Sequence, residues 1–226
     1  MPSCIPKVII QTSRIKPEPY IIEMIQHYTP GWEYKHFNDA EVIQFFQENY
    51  LAEFPNVIQK FFSFNYGSHR ADLFRYYYLY VKGGVYMDTD AMLETNLDRV
   101  IDDCAFFSVD STYFPGTIFQ GFLGCEPRNI VMFEALRNIY YTENQVLVEN
   151  FHLLCKNMYG IVEAYHDLTK IKLFLEIYGN ETDAHVIDKE TKELVLIHYH
   201  IHKIIPDKRS LIPVTKTVSD PEIVEL

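Results

Sequence analysis

Asp88 and Asp90 stand one residue apart, directly after the apolar run GGVYM at residues 83–87. On an extended strand, side chains i and i+2 point the same way. The two carboxylates are therefore expected to project together, with Cα atoms roughly 7 Å apart. Like charges placed like this repel unless a cation sits near them. A hard divalent ion with oxygen ligands suits the pair, Mn²⁺ or Mg²⁺, and such an ion keeps positions for waters and phosphate oxygens. The chemistry predicted is a metal holding a diphosphate. A D-x-D triplet also arises by chance in solvated turns. Here it follows a buried strand, the edge at which α/β sheets take their ligands.

Just upstream, Asp72, Arg75 and Leu79 are spaced i, i+3 and i+7, on one face of a helix. The first two read either as a plain intrahelical ion pair or as a pair serving the same site as the aspartates. Tyr76, Tyr77, Tyr78 and Tyr80 read as packing, and Phe74, Leu79 and Val81 as core.

The elements that must position these residues follow from periodicity. KVIIQ (7–11) is a short buried strand. KPEPYIIEMIQHY is a helix entered through proline, and Pro30-Gly31 breaks it. WEYKHF alternates as a strand. Asn38 and Glu41 form a capping box ahead of a helix, and a short helix is expected at 56–62. The helix carrying Asp72 ends at Gly83-Gly84. Strands are expected at 105–109 and 117–124, and helices at 129–141, 146–158 and 161–178. HVID and LVLIHYHIH close the fold as strands. This alternation predicts an α/β domain with a mostly parallel sheet and helices on both sides. The stretch from Lys203 reads as a polar surface tail.

Composition narrows the partners. The 226 residues fit one domain, 48% hydrophobic and 15% aromatic. A net charge of −11 argues against a nucleic-acid partner, which would want a basic face. No apolar stretch reaches membrane-spanning length, and the first strand leaves no room for a signal peptide. Cys4, Cys104, Cys125 and Cys155 lack CxxC spacing and read as reduced, so the expected location is cytoplasmic. No P-loop or G-x-G-x-x-G is present.

The stretch SHRADLFRYYYLYVKGGVYMDTD resembles the DXD-containing sugar-binding region of glycosyltransferase family 32. The shared pattern is met at Asp72, Arg75, Leu79, Gly83, Gly84, Tyr86, Asp88 and Asp90. IPKVIIQ resembles the family's opening strand, GWEYKHFND its next strand, and GTIFQGFLGCEPRNIVM a later segment. The resemblance implies a GT-A-like single domain over residues 1–202, with a nucleotide-binding sheet, and a tail over 203–226. It implies transfer of a hexose from a UDP- or GDP-sugar to a glycan or other hydroxyl acceptor, with retention of configuration and with Mn²⁺ or Mg²⁺. Carried over by position, Asp88 and Asp90 ligate the metal. Asp88 also faces the ribose. Asp72 and Arg75 hold the sugar hydroxyls and the diphosphate, and Tyr86 lines the nucleoside pocket. Gln120, near which the family often has an Asn, is not carried over by position; it is expected under the anomeric carbon as part of the mechanism.

Two departures stand out. A Trp common after the opening strand is absent, and the C-terminal Ser-Trp pair of many relatives is missing, since Trp32 is the only Trp. For the terminal metal ligand, HYHIHK offers His198, His200 and His202 on one strand face, and each could equally be an ordinary histidine. His200, mid-run, is the expected ligand. Two rivals remain at this level. One is a Mg²⁺-dependent phosphohydrolase of the haloacid dehalogenase type, although Met92 stands where that pattern wants Thr or Val. The other is a sugar-nucleotide-binding module without catalysis. The absence of an anchor fits a bacterial or viral enzyme better than a Golgi one.

Overall fold

The computed structural model describes residues 4–180, 182–199 and 204–212. The chain opens with β1 (Val8–Thr12), whose continuous apolar run is buried, as a central strand requires. Helix α1 (Pro19–Tyr28) starts on its proline, which lacks an N–H that the first turn would leave unused. β2 (Glu33–Phe37) lies parallel to β1. Helix α2 (Asp39–Glu48) begins at the capping box. Asn38 Oδ1 accepts from the N–H groups of Ala40 and Glu41, and Glu41 accepts from the Asn38 N–H. Such a cap is worth about 1 kcal/mol.

A short α3 (Val57–Ser63) leads to α4 (Gly67–Lys82). Every α4 side chain from Leu73 to Tyr80 is buried, so this helix is the axis of a core rather than a surface amphipath. Gly83 and Gly84 follow at φ 68° and 106°, conformations that L side chains rarely adopt. They turn the chain from α4 directly into β3 (Gly84–Met87).

After β3 the backbone is not extended. Residues 88–90 form a turn, in which the Ala91 N–H donates to the Asp88 carbonyl at 3.2 Å. β4 (Ala91–Leu93) and α5 (Leu97–Val100) come next, then β5 (Phe106–Ser111), β6 (Ile118–Cys125) and α6 (Ile130–Tyr141). The helix expected at 146–158 is two pieces, α7 (Asn144–Glu149) and α8 (Leu153–Tyr165). Of the helix expected at 161–178, only residues 161–165 are helical, as the end of α8. The second half of that span is β7 (Ile171–Asn180), followed by β8 (Asp183–Ile187) and β9 (Leu194–Tyr199). Apolar residues stand at so many positions of IKLFLEIY that they fit either period, and pairing with β5 along six residues decides for a strand.

The strands form one sheet in the order β2-β1-β3-β6-β5-β7-β8-β9-β4. The α/β class with flanking helices is as expected, but the sheet is mixed. Parallel pairing joins β1 to β2, β1 to β3 and β5 to β7; the other five pairings are antiparallel. The loops joining β5 to β6, and β7 through β9, are too short for the crossover that parallel strands need.

The sheet also curls. β3 and β4 stand six places apart in its order, about 29 Å if it were flat. Yet only the turn 88–90 separates them in the chain, a reach of about 14 Å. The sheet therefore curls until its edge strand β4 meets β3 at that turn.

Successive strand residues enter opposite cores. Phe106 packs with α2, α4, α6 and α8, whereas Phe107 packs with α1 and Trp32. Within the expected tail, residues 204–212 lie against the domain. Ile205 is buried, its carbonyl accepts from Tyr20 Oη at 2.8 Å, and Arg209 pairs with Glu23 at 2.7 Å. Among the described residues no helix is long and apolar enough to cross a membrane.

Candidate active site

Asp88 leaves β3 with its backbone pinned from both sides. Its N–H donates to the Gly121 carbonyl on β6 at 2.8 Å, and its carbonyl accepts from Gln11 Nε2 on β1 at 3.0 Å. Gln11 is itself fixed by Tyr34 Oη of β2, at 2.7 Å. Neither Gln11 nor Tyr34 was singled out from the sequence; the only signal was a polar residue closing an otherwise apolar strand.

The carboxylate of Asp88 accepts from Tyr86 Oη at 2.8 Å and lies 3.4 Å from Arg75 Nη2. The turn, not strand alternation, brings Asp90 round beside it. Asp88, Asp90 and His198 offer ligand atoms that all lie within 4.8 Å of one another. The Tyr199 N–H donates to the Asp90 carbonyl at 2.8 Å, and His198 Nε2 is 3.4 Å from Asp90 Oδ2. His198 faces Ala91 in the β4–β9 register, and its ring packs on Phe119 at 4.7 Å. His200, the expected ligand, and His202 lie outside the described residues.

This corner attracts positive charge. Burial works to lower the pKa of His198, but the hydrogen bond to Asp90 and the charges of Asp90, Asp88 and Glu176 outweigh it and raise the pKa. Two carboxylates and an imidazole are oxygen and nitrogen donors that suit Mn²⁺ or Mg²⁺. The residues present fit such an ion.

Arg75 supplies the fixed cation on the other side. It is buried, lies over the Tyr86 ring at 4.1 Å, and donates from Nη1 to the Gln120 carbonyl. Its Nε is 3.6 Å from Asp72 Oδ1, so the intrahelical ion pair exists and also orients the site. Burial raises the pKa of Asp72, and Arg75 opposes that rise. Gln120 accepts from Tyr76 Oη, while its buried Nε2 has no partner among the described residues. An unmade buried hydrogen bond costs about 1–3 kcal/mol.

A cavity of about 380 Å³ opens on this group, lined by Ser13, Arg14, Arg70, Arg75, Tyr86, Asp88 and Asp90. A larger groove of about 910 Å³ lies elsewhere, along residues 102–104 and 166–173. Its Lys170 and Lys172 are already paired, with Asp103 and Asp188, and it holds none of this chemistry.

Residues 16–107 match the family model described as glycosyltransferase sugar-binding region containing DXD motif. This stretch of the chain is similar to a glycosyltransferase DXD region. It includes Asp72, Arg75, Tyr86, Asp88 and Asp90; Gln120 and His198 lie beyond it. Among curated proteins, a mannosyl phosphorylinositol ceramide synthase of Saccharomyces cerevisiae is 28% identical over 148 residues, 61% of this chain and 35% of that protein. The initiation-specific alpha-1,6-mannosyltransferase of the same yeast is 38% identical over 71 residues, 31% of this chain and 15% of that protein. The chain thus spans about a third or less of the length of these relatives. Among solved structures, the PaToxG glycosyltransferase superposes with a TM-score of 0.49 at 14% identity, over 74% of this chain and 71% of that one.

Proposed function

We propose that the protein is a metal-dependent retaining glycosyltransferase that moves a hexose from a UDP- or GDP-sugar to a glycan or other hydroxyl acceptor. The observation that carries this reading is the meeting of Asp88, Asp90 and His198 within 4.8 Å, beside the buried Arg75. Asp88, Asp90 and His198 would hold Mn²⁺ or Mg²⁺, which when bound offsets negative charge on the leaving diphosphate. Arg75 adds a cation whose position is already set by Tyr86, Asp72 and Asp88, so little reorganisation is needed as charge builds up. Asp72 and Asp88 accept hydrogen bonds from sugar hydroxyls, and Tyr86 holds the Asp88 carboxylate in place. The amide of Gln120 lies under the anomeric carbon and donates to the sugar, while the acceptor hydroxyl approaches from the face the diphosphate leaves. The yeast relatives are named as mannosyl-transferring enzymes, which makes mannose the first sugar to test.

The test is calorimetric titration of UDP, GDP and their hexose conjugates, with Mn²⁺ and with EDTA. One nucleotide is expected to bind wild type only with Mn²⁺, and Asp90→Ala, folded by circular dichroism, is expected to lose that binding. Wild type that binds no nucleotide under Mn²⁺ would sink the reading.

A further inference from the structure

A second cavity, of about 230 Å³, is lined by Gln120 and His198, both of which touch residues of the first: His198 Nε2 is 3.4 Å from Asp90 Oδ2, and the Gln120 carbonyl accepts from Arg75. Two of the residues that line it, Gln120 and Tyr113, each carry a buried polar atom, Nε2 and Oη, with no hydrogen-bond partner among the described residues. Gln120 is only 5% exposed. Buried polar groups in folded proteins are nearly always satisfied, and exceptions call for an explanation. Two exceptions in one cavity point to a ligand bearing several hydroxyls.

The rest of the lining agrees. Glu176 of β7 brings a buried carboxylate, which accepts from Ser111 Oγ at 2.5 Å. Phe114 is 55% exposed at the mouth, stacked on the His152 ring at 4.8 Å. Apolar walls with a few convergent polar groups are how compact sites recognise a ring that has both apolar faces and polar edges. The volume is below the ~300–1,000 Å³ of sites for drug-sized ligands, so one ring fits and an extended chain does not.

We propose that this cavity is a pyranose subsite, in which Tyr113, Gln120 and Glu176 hold ring hydroxyls and Phe114 covers an apolar ring face. The assignment rests on the transferase reading. The same ring chemistry can arrive on the donor sugar or on the acceptor.

Tyr113→Phe, Phe114→Ala and Glu176→Gln separate these sources. Each is compared with wild type, in Mn²⁺, for the Kd of the nucleoside diphosphate, the Kd of the matching nucleotide sugar, and the KM of methyl α-mannopyranoside and methyl α-glucopyranoside as acceptor probes. If the ring is the donor's, the nucleotide-sugar Kd rises about tenfold while the nucleoside diphosphate Kd holds. If it is the acceptor's, the glycoside KM rises about tenfold and both Kd values hold. Either result supports the subsite. Wild-type values in all three variants overturn it. Tyr113→Phe guards against a folding artefact, because the hydroxyl it removes has no partner among the described residues. Wild type that binds no nucleotide defeats the transferase reading instead. The subsite is then tested alone by ligand-observed NMR with the two methyl glycosides, and it fails if neither binds or if Tyr113→Phe binds them as wild type does.

Discussion

A Cβ built on Gly121 would stand 2.5 Å from Asp88 Oδ2 and would also overlap the Phe119 ring. Only a hydrogen at this position lets the carboxylate lie against β6 and still turn toward Asp90 and His198. Both clashing groups are the far ends of side chains, so the fold can yield where the site cannot. Gly121→Ala is therefore expected to melt within a few degrees of wild type, yet to lose at least about tenfold in Mn²⁺-dependent nucleotide affinity, roughly 1.4 kcal/mol. Melting curves with calorimetry check this, and unchanged affinity would show that Asp88 has room to spare. Arg75 is constrained in another way. Its planar fork serves Tyr86, Asp88, Asp72 and the Gln120 carbonyl at once, a set of contacts that a lysine point charge could not reproduce.

At the scale of elements, the β8–β9 hairpin decides whether His198 reaches the aspartates. Its loop is fastened by Asp188. Oδ1 accepts from the N–H groups of Glu190 and Thr191 at 2.8 and 3.0 Å, and Oδ2 pairs with Lys172 of β7 at 2.6 Å. Burial works to raise the pKa of Asp188, but the Lys172 and backbone hydrogen bonds outweigh it and bring the carboxyl from 3.8 down to about 2. A depressed folded-state pKa means stability that is present above the unfolded value and lost as pH falls through the folded one. The contribution of Asp188 is thus complete above about pH 4 and fades toward pH 2. Urea midpoints taken across that window are expected to fall less steeply for Asp188→Asn than for wild type. Equal slopes would mean that this carboxylate is not tied down as described.

For the whole molecule, one sheet serves two cores. Most helices pack on one face, and Trp32 lies buried on the other, with its indole N–H donating to Asp98 at 3.1 Å. Because alternate residues of β1, β3, β5 and β6 belong to each core, neither core can melt and leave the other intact. Trp32 fluorescence and far-UV circular dichroism are expected to give the same urea midpoint; two separated midpoints would show the faces unfolding independently. The sequence by itself determined what is local. The Asn38 capping box, the Gly83-Gly84 turn, the buried β3 and the Asp72–Arg75 spacing are each set within a few residues, and each is present in the structure. It also showed the aspartates as a pair, because their types and spacing lie in the chain itself. Only the tertiary structure decided the remainder. IKLFLEIY became a strand through pairing with β5, which placed Glu176 at the second cavity. Which histidine stands beside Asp90 depends on the β4–β9 register, which sets His198 against Ala91 across more than a hundred residues of chain. The curl that brings β4 round to β3 at residues 88–90 sums small twists over the seven strands from β3 to β4, and no local stretch of sequence records that sum.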